Sequence, residues 1–520
     1  MQRWRIDGRL DGELLGRIEL IDDNVGSDDA DYAEATTVYD ESPEWQEFWP
    51  DETDGDEGRT TQVMPTLPEA ESGPSARQLW SLAILIALAG VALKAGWYLM
   101  FPGAWAWRLG PDGATYLAQA TGYLHGAITD PSAGPLAPIL REAFPPGYPL
   151  FLTALIAPFT DESIRSQNEA LLMTIRGAQW ALAAGVTLMT FALARRVLFG
   201  YTALIPPLLL TISIAWIDMP SLLAYETLLA FLLTASILLV VKLKESSRAP
   251  RVAYAILAGI AFSYGIVVQP RIAVVLPFVA LWLLRAAPRR WTALFVAVAL
   301  LAPAAWIVRG ELVFHKFVPI SINGQASLYL DNVDPIGGAG FVRRAAPPEC
   351  PRTQLYTGPI RDRFAWASCM QTAGINQIIN DPGRAALAVP DRLAALISPW
   401  NPTYARGTYA SESWDYHYLV PAATRNSPTF KTLDGIALIV WLALYAGLIL
   451  LGIATLWVEG PGSAARLLAI PLITLPLIHL IWHAENRFRL PIMPLMMIAW
   501  TLGALSLLDL RHRRRSKRSS

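Results

Sequence analysis

One carboxylate in the sequence is placed to act as a general base. Asp112 lies in Arg108-Leu-Gly-Pro-Asp112-Gly-Ala-Thr-Tyr116, shortly after a long apolar run and between a proline and a glycine. A carboxylate at the water-facing end of an apolar segment can take the proton from a hydroxyl group. Helical spacing begins directly after Asp112, so the residue can equally cap a helix N-terminus, where aspartate is preferred. The sequence alone leaves both roles open.

Two further charged residues lie close to the same part of the chain. Glu142 precedes Phe144-Pro-Pro-Gly-Tyr148-Pro, so it is predicted at a membrane surface, either as a second catalytic carboxylate or as a solvated charge beside Arg141. Lys94 lies inside an apolar run, where a lysine is costly unless its ammonium reaches the interface or meets a partner. Lys94 is therefore either a snorkelling lysine or a ligand for a lipid phosphate.

These residues are set among apolar runs that indicate a polytopic membrane protein. Of the 520 residues, 53% are hydrophobic and 16% are charged, whereas soluble globular proteins have about 25% charged residues. Runs nearly free of charge recur at lengths that cross a hydrocarbon core of about 30 Å, which excludes a soluble enzyme. The ten predicted spans are 79–101, 173–193, 201–219, 221–241, 252–269, 271–285, 291–308, 434–457, 465–482 and 490–510.

An eleventh apolar stretch, 145–159, decides the orientation of every later segment. It is short and opens with prolines, so we interpret it as an interfacial or re-entrant helix at the outer face. Short cytoplasmic loops are enriched in lysine and arginine. With ten spans, the basic loops at 195–196, 242–251 and 285–290 and the C-terminal tail all lie inside. We therefore predict that both termini are cytoplasmic.

The same topology defines the segments of an all-α chain with two outer loops. The predicted segments are a disordered acidic tail at 1–76, a core at 77–308 with a first outer loop at 102–172, a larger outer loop at 309–433, C-terminal spans at 434–510 and a basic tail at 511–520. The second loop contains the two cysteines, Cys350 and Cys369. A disulfide is chemically allowed outside the cytoplasm, and the sequence leaves open whether it forms.

Charge is strongly segregated along the chain. Residues 1–76 carry 21 acidic residues and five arginines, whereas the other 444 residues carry 22 acidic and 37 basic ones. The tail has too little apolar surface to offset the entropy of ordering it. It is either a solubilising tail or an arm that docks a cytoplasmic partner. A basic membrane body with an acidic tail gives no indication of nucleic-acid binding.

Three arginines depart from the enrichment of basic residues on the cytoplasmic side, because the predicted topology places them at the outer face. Arg271 lies on the turn between two spans, and Arg487 and Arg489 lie at the outer end of the last hairpin. Glu226 falls near the outer start of the fourth span. Guanidinium groups match the geometry of phosphate oxygens, so an anionic ligand such as a lipid phosphate accounts for arginines on this side.

Metal binding has only weak support in the sequence. His479 and His483 are four residues apart with Glu485 nearby, but buried polar partners explain this pair equally well and no complete metal motif is present. We therefore predict no metal site, and the use of a divalent cation stays open.

The order of these motifs resembles that of a known family. Lys94 in the first span is followed by Asp-Gly-x-x-Tyr at 112–116, by Phe-Pro-Pro-Gly-Tyr-Pro-Leu, by Glu226, by Gln-Pro-Arg271 and by a terminal Asn-Arg-Phe-Arg-Leu-Pro-Ile-Met-Pro. This pattern is similar to the GT-C-fold integral membrane glycosyltransferases. The nearest branches are the bacterial protein O-mannosyltransferase-like enzymes and the aminoarabinose transferases of lipid A. The resemblance covers 80–335 and 470–510.

The resemblance implies a GT-C-like bundle and a polyprenyl-phosphate-linked sugar as donor, with transfer on the outer face of the bacterial cytoplasmic membrane. It implies that Asp112 is the catalytic carboxylate, with Glu142 as a second candidate. Further residues are implied for substrate binding, namely Lys94, Tyr116, Glu226, Arg271, Arg487 and Arg489. The acceptor implied is a glycan, lipid or protein of the cell envelope. No redox cofactor is implied, and a divalent cation stays open.

Two other classes of function remain compatible with the sequence. A lipid or polysaccharide flippase would need polar residues along a path through the spans, whose middles are mostly apolar. A catalytically inactive family member would act as a scaffold, with the acidic tail as its docking arm.

Overall fold

The computed structural model describes residues 2–6, 18–22, 74–100, 112–130, 144–246, 248–332, 347–351, 360–397, 428–458, 462–482 and 486–519. The chain divides into two units, one formed by Met1–Gly73 with Arg513–Ser520 and the other by Pro74–His512. In the first, β1 (Gln2–Ile6) pairs antiparallel with β2 (Ile18–Asp22). Both strands lie within the segment 1–76 that the composition predicts to be disordered.

The second unit is built from α-helices and short 3₁₀ turns wherever it is described. Its first helices are α1 (Ala76–Met100), α2 (Gly113–Leu124), α3 (Gly147–Ile156), α4 (Asp161–Arg165), α5 (Glu169–Ala194), α6 (Ile205–Ile212), α7 (Ile214–Asp218), α8 (Glu226–Glu245) and α9 (Arg248–Val268). The later ones are α10 (Leu276–Ala286), α11 (Arg289–Phe314), α12 (Asn323–Asn332), α13 (Ile360–Asn380), α14 (Pro382–Leu387), α15 (Val389–Ile397), α16 (Pro428–Val458), α17 (Ala464–Ile478) and α18 (Met493–Ser519). The 3₁₀ turns are Gly200–Leu204, Met219–Ser221, Pro270–Val275 and Asn486–Ile492.

The helical, polytopic membrane architecture is confirmed for the second unit. Within the described ranges, six helices are long and apolar enough to cross a membrane, and a pair bent by 70° between Gly200–Ile212 and Ala215–Ser221 would make a seventh. Apolar side chains such as Leu85, Leu257 and Leu301 are exposed on these helices, as lipid contact requires. The predicted number of ten is not confirmed. Among the other predicted spans, 271–285 is a 3₁₀ turn followed by the eleven-residue α10, and 465–482 contains the 15-residue α17. The span 434–457 lies in α16, whose apolar stretch among the described residues is Ala443–Val458.

The stretch that decides the topology forms a short helix. α3 has ten residues, which rise about 15 Å and are too few to cross a core of about 30 Å. This length agrees with the interpretation of 145–159 as a segment that does not span the membrane. The segment 102–172 also contains the short helices α2 and α4, and their location at a membrane interface stays a prediction.

α3 packs closely against α9 and α2. At Gly147, a Cβ atom would lie 2.5 Å from the backbone nitrogen of Val268, so the start of α3 touches the end of α9 with no room for a side chain. The Tyr264 hydroxyl donates to the Gly147 carbonyl at 2.7 Å. Thr153 donates to the Ala120 carbonyl at 3.1 Å and so joins α3 to α2.

A disulfide and close helix packing hold together the segment 309–433, which the sequence predicts to be the second outer loop. Cys350 and Cys369 form a disulfide with a Cα separation of 5.6 Å, which settles the question that the sequence left open. α12 and α13 cross where a Cβ atom on Gly374 would lie 2.6 Å from the backbone nitrogen of Tyr329.

Candidate functional site

The centre of the candidate site is an arginine between two carboxylates. Arg487 Nη1 lies 2.9 Å from Asp112 Oδ2, and its Nε lies 3.6 Å from Glu226 Oε1. The Glu226 side chain is 1% exposed, whereas those of Asp112 and Arg487 are 23% and 17% exposed. The three residues come from the start of α2, the start of α8 and the 3₁₀ turn before α18. One carboxylate is thus buried and the other faces solvent.

Asp112 stands at the N-cap position of α2, but its side chain makes no capping hydrogen bond. The carboxylate instead reaches Arg487. The helix-capping alternative is therefore wrong for this side chain. The Asp112 side chain is thus held by a partner from another segment rather than by the backbone of its own helix.

Glu226 is held in place by α5, which supports the turn before α8. Arg176 Nε donates to the Ser221 carbonyl at 3.0 Å, and Gln179 Nε2 donates to the Leu222 carbonyl at 2.6 Å. The Trp180 indole donates to the Ser221 hydroxyl at 3.2 Å. Buried backbone carbonyls require such partners, so the turn is fixed and the first residue of α8 projects from a rigid support.

Buried phenols surround Glu226. The ring centroid of Tyr116 lies 5.1 Å from that of Tyr148 and 6.4 Å from that of Tyr225. Burial raises the pKa of Tyr116 well above its usual range, and the negative charge of Asp112 raises it further. Burial and the nearby Glu226 carboxylate likewise raise the pKa of Tyr225. The phenols therefore stay protonated near neutral pH, and the bases available beside them are the carboxylates.

Arg271 reaches the same region through an aromatic ring. Its guanidinium carbon lies 4.5 Å from the ring centroid of Phe488, and that of Arg487 lies 5.3 Å from the same centroid. Both distances fall within the range of cation–π contact. Arg271 follows Gln269, whose amide donates to the Tyr225 hydroxyl at 2.8 Å, so the turn after α9 is anchored to the wall beside Glu226.

Two predicted ligands are engaged elsewhere. Lys94 is buried in α1 and donates to the Gly90 carbonyl at 3.3 Å, next to Thr211 of α6. Arg489 is also buried, and its Nη1 donates to the Leu396 carbonyl at 3.4 Å. The contacts described for Lys94 do not include Asp112, Glu226 or Arg487, so the structure does not join it to the central cluster.

Other predicted residues lie outside the described ranges. Glu142, His483 and Glu485 are among them, and their roles stay predictions. No group of three His, Cys, Asp or Glu side chains that could hold a metal ion occurs in the described part of the chain. The space between Asp112 and Glu226 is filled by a guanidinium rather than open to a cation. These residues do not fit a divalent metal, and no step below uses one.

Sequence reasoning identifies Tyr116 but not the other aromatic members of the site. Phe488 lies between two arginines at a predicted membrane surface, and that placement is a signal for its role. Tyr225 directly precedes Glu226, and Tyr148 lies in the Pro-Pro-Gly-Tyr-Pro motif. Tyr225 and Tyr148 are uncharged, so the charge pattern that identifies the other site residues gives no signal for them.

Comparisons with solved structures give matches of low sequence identity, among them archaeal oligosaccharyltransferases. The archaeal oligosaccharyltransferase AglB from Archaeoglobus fulgidus, in complex with an inhibitory peptide and a dolichol-phosphate, has a TM-score of 0.46 and 15% identity over 85% of this chain and 51% of that chain. Its apo form has a TM-score of 0.47 and 14% identity over 85% and 52%. The chain spans about half the length of these structures. No protein-family model and no curated protein matches the sequence.

Proposed function

We propose that this protein is a GT-C-type membrane glycosyltransferase that moves a sugar from a polyprenyl-phosphate-linked donor to an acceptor hydroxyl, on the outer face of the bacterial cytoplasmic membrane. The contact of Arg487 with Asp112, beside buried Glu226, carries the proposal. It joins two motifs that lie 375 positions apart in the sequence and that both resemble parts of this family.

In the proposed reaction Asp112 is the general base. Its carboxylate is the more exposed of the two, so an acceptor hydroxyl can reach it from water. As Asp112 takes the hydroxyl proton, the acceptor oxygen forms a bond to the anomeric carbon of the sugar. Arg487 holds the carboxylate in position. Glu226 and the neutral phenols beside it are hydrogen-bonding partners for the sugar hydroxyls.

The leaving group requires cationic stabilisation. When the bond between the anomeric carbon and the phosphate oxygen breaks, the polyprenyl phosphate leaves with the electron pair and carries the negative charge. A cation fixed beside that oxygen stabilises the charge as it develops. We assign this role to Arg271, because Arg487 is already held by two carboxylates and Arg489 by a carbonyl. Lys94 is proposed to contact the lipid phosphate on its way into the site.

The test uses the full chain in nanodiscs with a panel of polyprenyl-phosphate sugars and crude envelope as acceptor. Release of free polyprenyl phosphate is followed by mass spectrometry in the wild type and in Asp112→Asn. Asp161→Asn is the matched control, because Asp161 lies in the same outer loop but pairs with His125 at 2.9 Å. General-base catalysis is worth about 10²- to 10⁴-fold, so we expect a loss of at least about 100-fold in Asp112→Asn only.

Each other outcome counts against part of the proposal. Equal turnover in Asp112→Asn and the wild type would remove Asp112 from the mechanism and make Glu142 the next residue to test. Tight donor binding without release in the wild type would contradict the transferase and favour a flippase or an inactive scaffold. Equal losses in Asp112→Asn and Asp161→Asn would indicate damage to the loop rather than loss of a base.

A further inference from the structure

The ring of Phe488 is fixed on more than one side. The imidazole of His479, at the C-terminal end of α17, stacks on it with a centroid distance of 5.6 Å and an interplanar angle of 10°. Leu396 of α15 packs against the same ring. A side chain clamped between two helices offers a rigid aromatic surface to any cation that lies beside it.

Arg271 is half-buried, and one of its buried donor atoms makes no hydrogen bond. Its Nη1 atom is buried and has no hydrogen-bond partner among the described residues. A buried guanidinium N–H without an acceptor costs free energy. The Phe488 ring offsets part of that cost through the cation–π contact at 4.5 Å, but a ring cannot replace an oxygen acceptor. The Nη1 donor is therefore available to an anionic oxygen from a ligand.

The two arginines on this ring differ in their other partners. Arg487 faces Asp112 and Glu226, whereas the Arg271 donor faces neither in any described contact. The Phe488 ring thus contacts two guanidinium groups that have different partners. Two carboxylates balance the charge of Arg487, whereas no described contact pairs Arg271 with an acid.

We propose that Phe488 is a positioning residue that holds the Arg271 guanidinium as the binding group for the phosphate of a polyprenyl monophosphate. The inference deepens the proposed function and rests on it for the identity of the ligand. Phe488 itself does not bind the phosphate and acts only through Arg271. It also keeps this cation next to the carboxylate cluster, because the same ring contacts Arg487.

The test measures binding rather than turnover, so that the two proposals can fail separately. The probe is a short-chain polyprenyl monophosphate, titrated against the full chain in nanodiscs. A cation–π contact is worth about 0.5 to 2 kcal/mol, which corresponds to a rise in Kd of about 2- to 30-fold in Phe488→Leu. Phe488→Tyr keeps the ring and should bind as the wild type does. In an Arg271→Gln background, Phe488→Leu should cause no further loss, because both changes remove the same contact.

Three results would overturn the inference. The first is a wild type that does not bind the probe at all. The second is Arg271→Gln that weakens binding while Phe488→Leu does not. The third is an additive loss in the double variant, which would show that Phe488 acts independently of Arg271. Binding that depends on Arg271 and Phe488 in the expected way, without turnover of any donor, would leave this inference standing and contradict the proposed transferase.

Discussion

Arg487 and Asp112 lie 375 positions apart in the sequence and meet at 2.9 Å. The contact connects the start of α2 to the 3₁₀ turn that leads into α18. Both side chains are partly exposed, and ion pairs of this kind contribute at most about 1 kcal/mol to stability. The third member differs, because Glu226 is buried and a buried carboxylate depends far more on its cation.

We predict that Arg487→Met destabilises the protein mainly through Glu226. Removing one partner of a buried ion pair costs about 3 to 5 kcal/mol, so unfolding should occur at a clearly lower temperature. The double variant Arg487→Met with Glu226→Gln should recover part of the loss, whereas Asp112→Asn alone should cost about 1 kcal/mol or less. Unfolding in nanodiscs, followed by tryptophan fluorescence, measures all four proteins. No recovery in the double variant would contradict this account.

The sequence identifies which residues belong to this cluster, but not which of them contact each other. Asp112, Glu226 and Arg487 were identified from their departure from the surrounding apolar pattern and from the family resemblance, and they do lie together. That Arg487 contacts acids could not be foreseen, because charge patterns reveal which residues need a partner but not which partner each one meets. Phe488 carries no charge, and its role depends on a ring position that only tertiary packing sets.

The same limit applies to the fold. Hydropathy identified the long helices, because a span needs an uninterrupted apolar stretch. It could not distinguish a full span from a short or broken helix, as the bend between Ile212 and Ala215 illustrates. The Cys350–Cys369 disulfide depends on a Cα separation that sequence spacing does not contain.

Gly147 is predicted to be essential for the shape of the site. An alanine Cβ there would lie 2.5 Å from a backbone atom of Val268, which cannot move away as a flexible side chain would. Gly147→Ala should therefore push α3 away from α9 and shift Tyr148 on the wall beside Glu226. We expect a destabilisation of about 1 to 3 kcal/mol. The loss of donor turnover should be larger than the loss of folded protein explains.

Gly177→Ala is the matched control for this change. Gly177 lies inside α5, and an added Cβ would meet no atom within 4 Å. Alanine in a helix interior is favoured over glycine by about 0.5 to 1 kcal/mol, so Gly177→Ala should be neutral or slightly stabilising. Thermal midpoints and turnover measured side by side decide the matter. Equal behaviour of the two variants would show that the contact with Val268 is not limiting.

Arg392 is predicted to hold the turn that carries Arg487. Its Nη1 donates to the Leu480 carbonyl at 2.8 Å and its Nη2 to Asn332 Oδ1 at 3.0 Å, while the Asn332 amide donates to the Ile481 carbonyl at 3.0 Å. Side chains of α12 and α15 thereby hold the chain just before the 3₁₀ turn at Asn486–Ile492. Lysine cannot reproduce a planar fork that reaches two acceptors, so Arg392→Lys should loosen this turn although the charge is kept.

Hydrogen–deuterium exchange over residues 479–489 measures that loosening directly. We expect faster exchange there in Arg392→Lys, with unchanged exchange in α5 and α8. Arg165→Lys is the control, because Arg165 is exposed in α4 and is not among the residues that bond to the Leu480 and Ile481 carbonyls. Unchanged exchange in both variants would show that the loop does not restrain the arginine turn.

The orientation of the chain is the last prediction, and the proposed reaction at the outer face depends on it. The only two cysteines of the protein are joined to each other, so the wild type offers no free thiol and single cysteines can be introduced without background.

Ser246 follows α8 at its basic end, and exposed Lys316 follows α11 at the opposite side of the predicted topology. Positive charge near Ser246 indicates the cytoplasm. A membrane-impermeant maleimide should therefore label Lys316→Cys in intact cells, and Ser246→Cys only after permeabilisation. The reverse pattern would put Asp112 and Arg487 on the cytoplasmic side, where the polyprenyl-phosphate-sugar mechanism as proposed cannot operate.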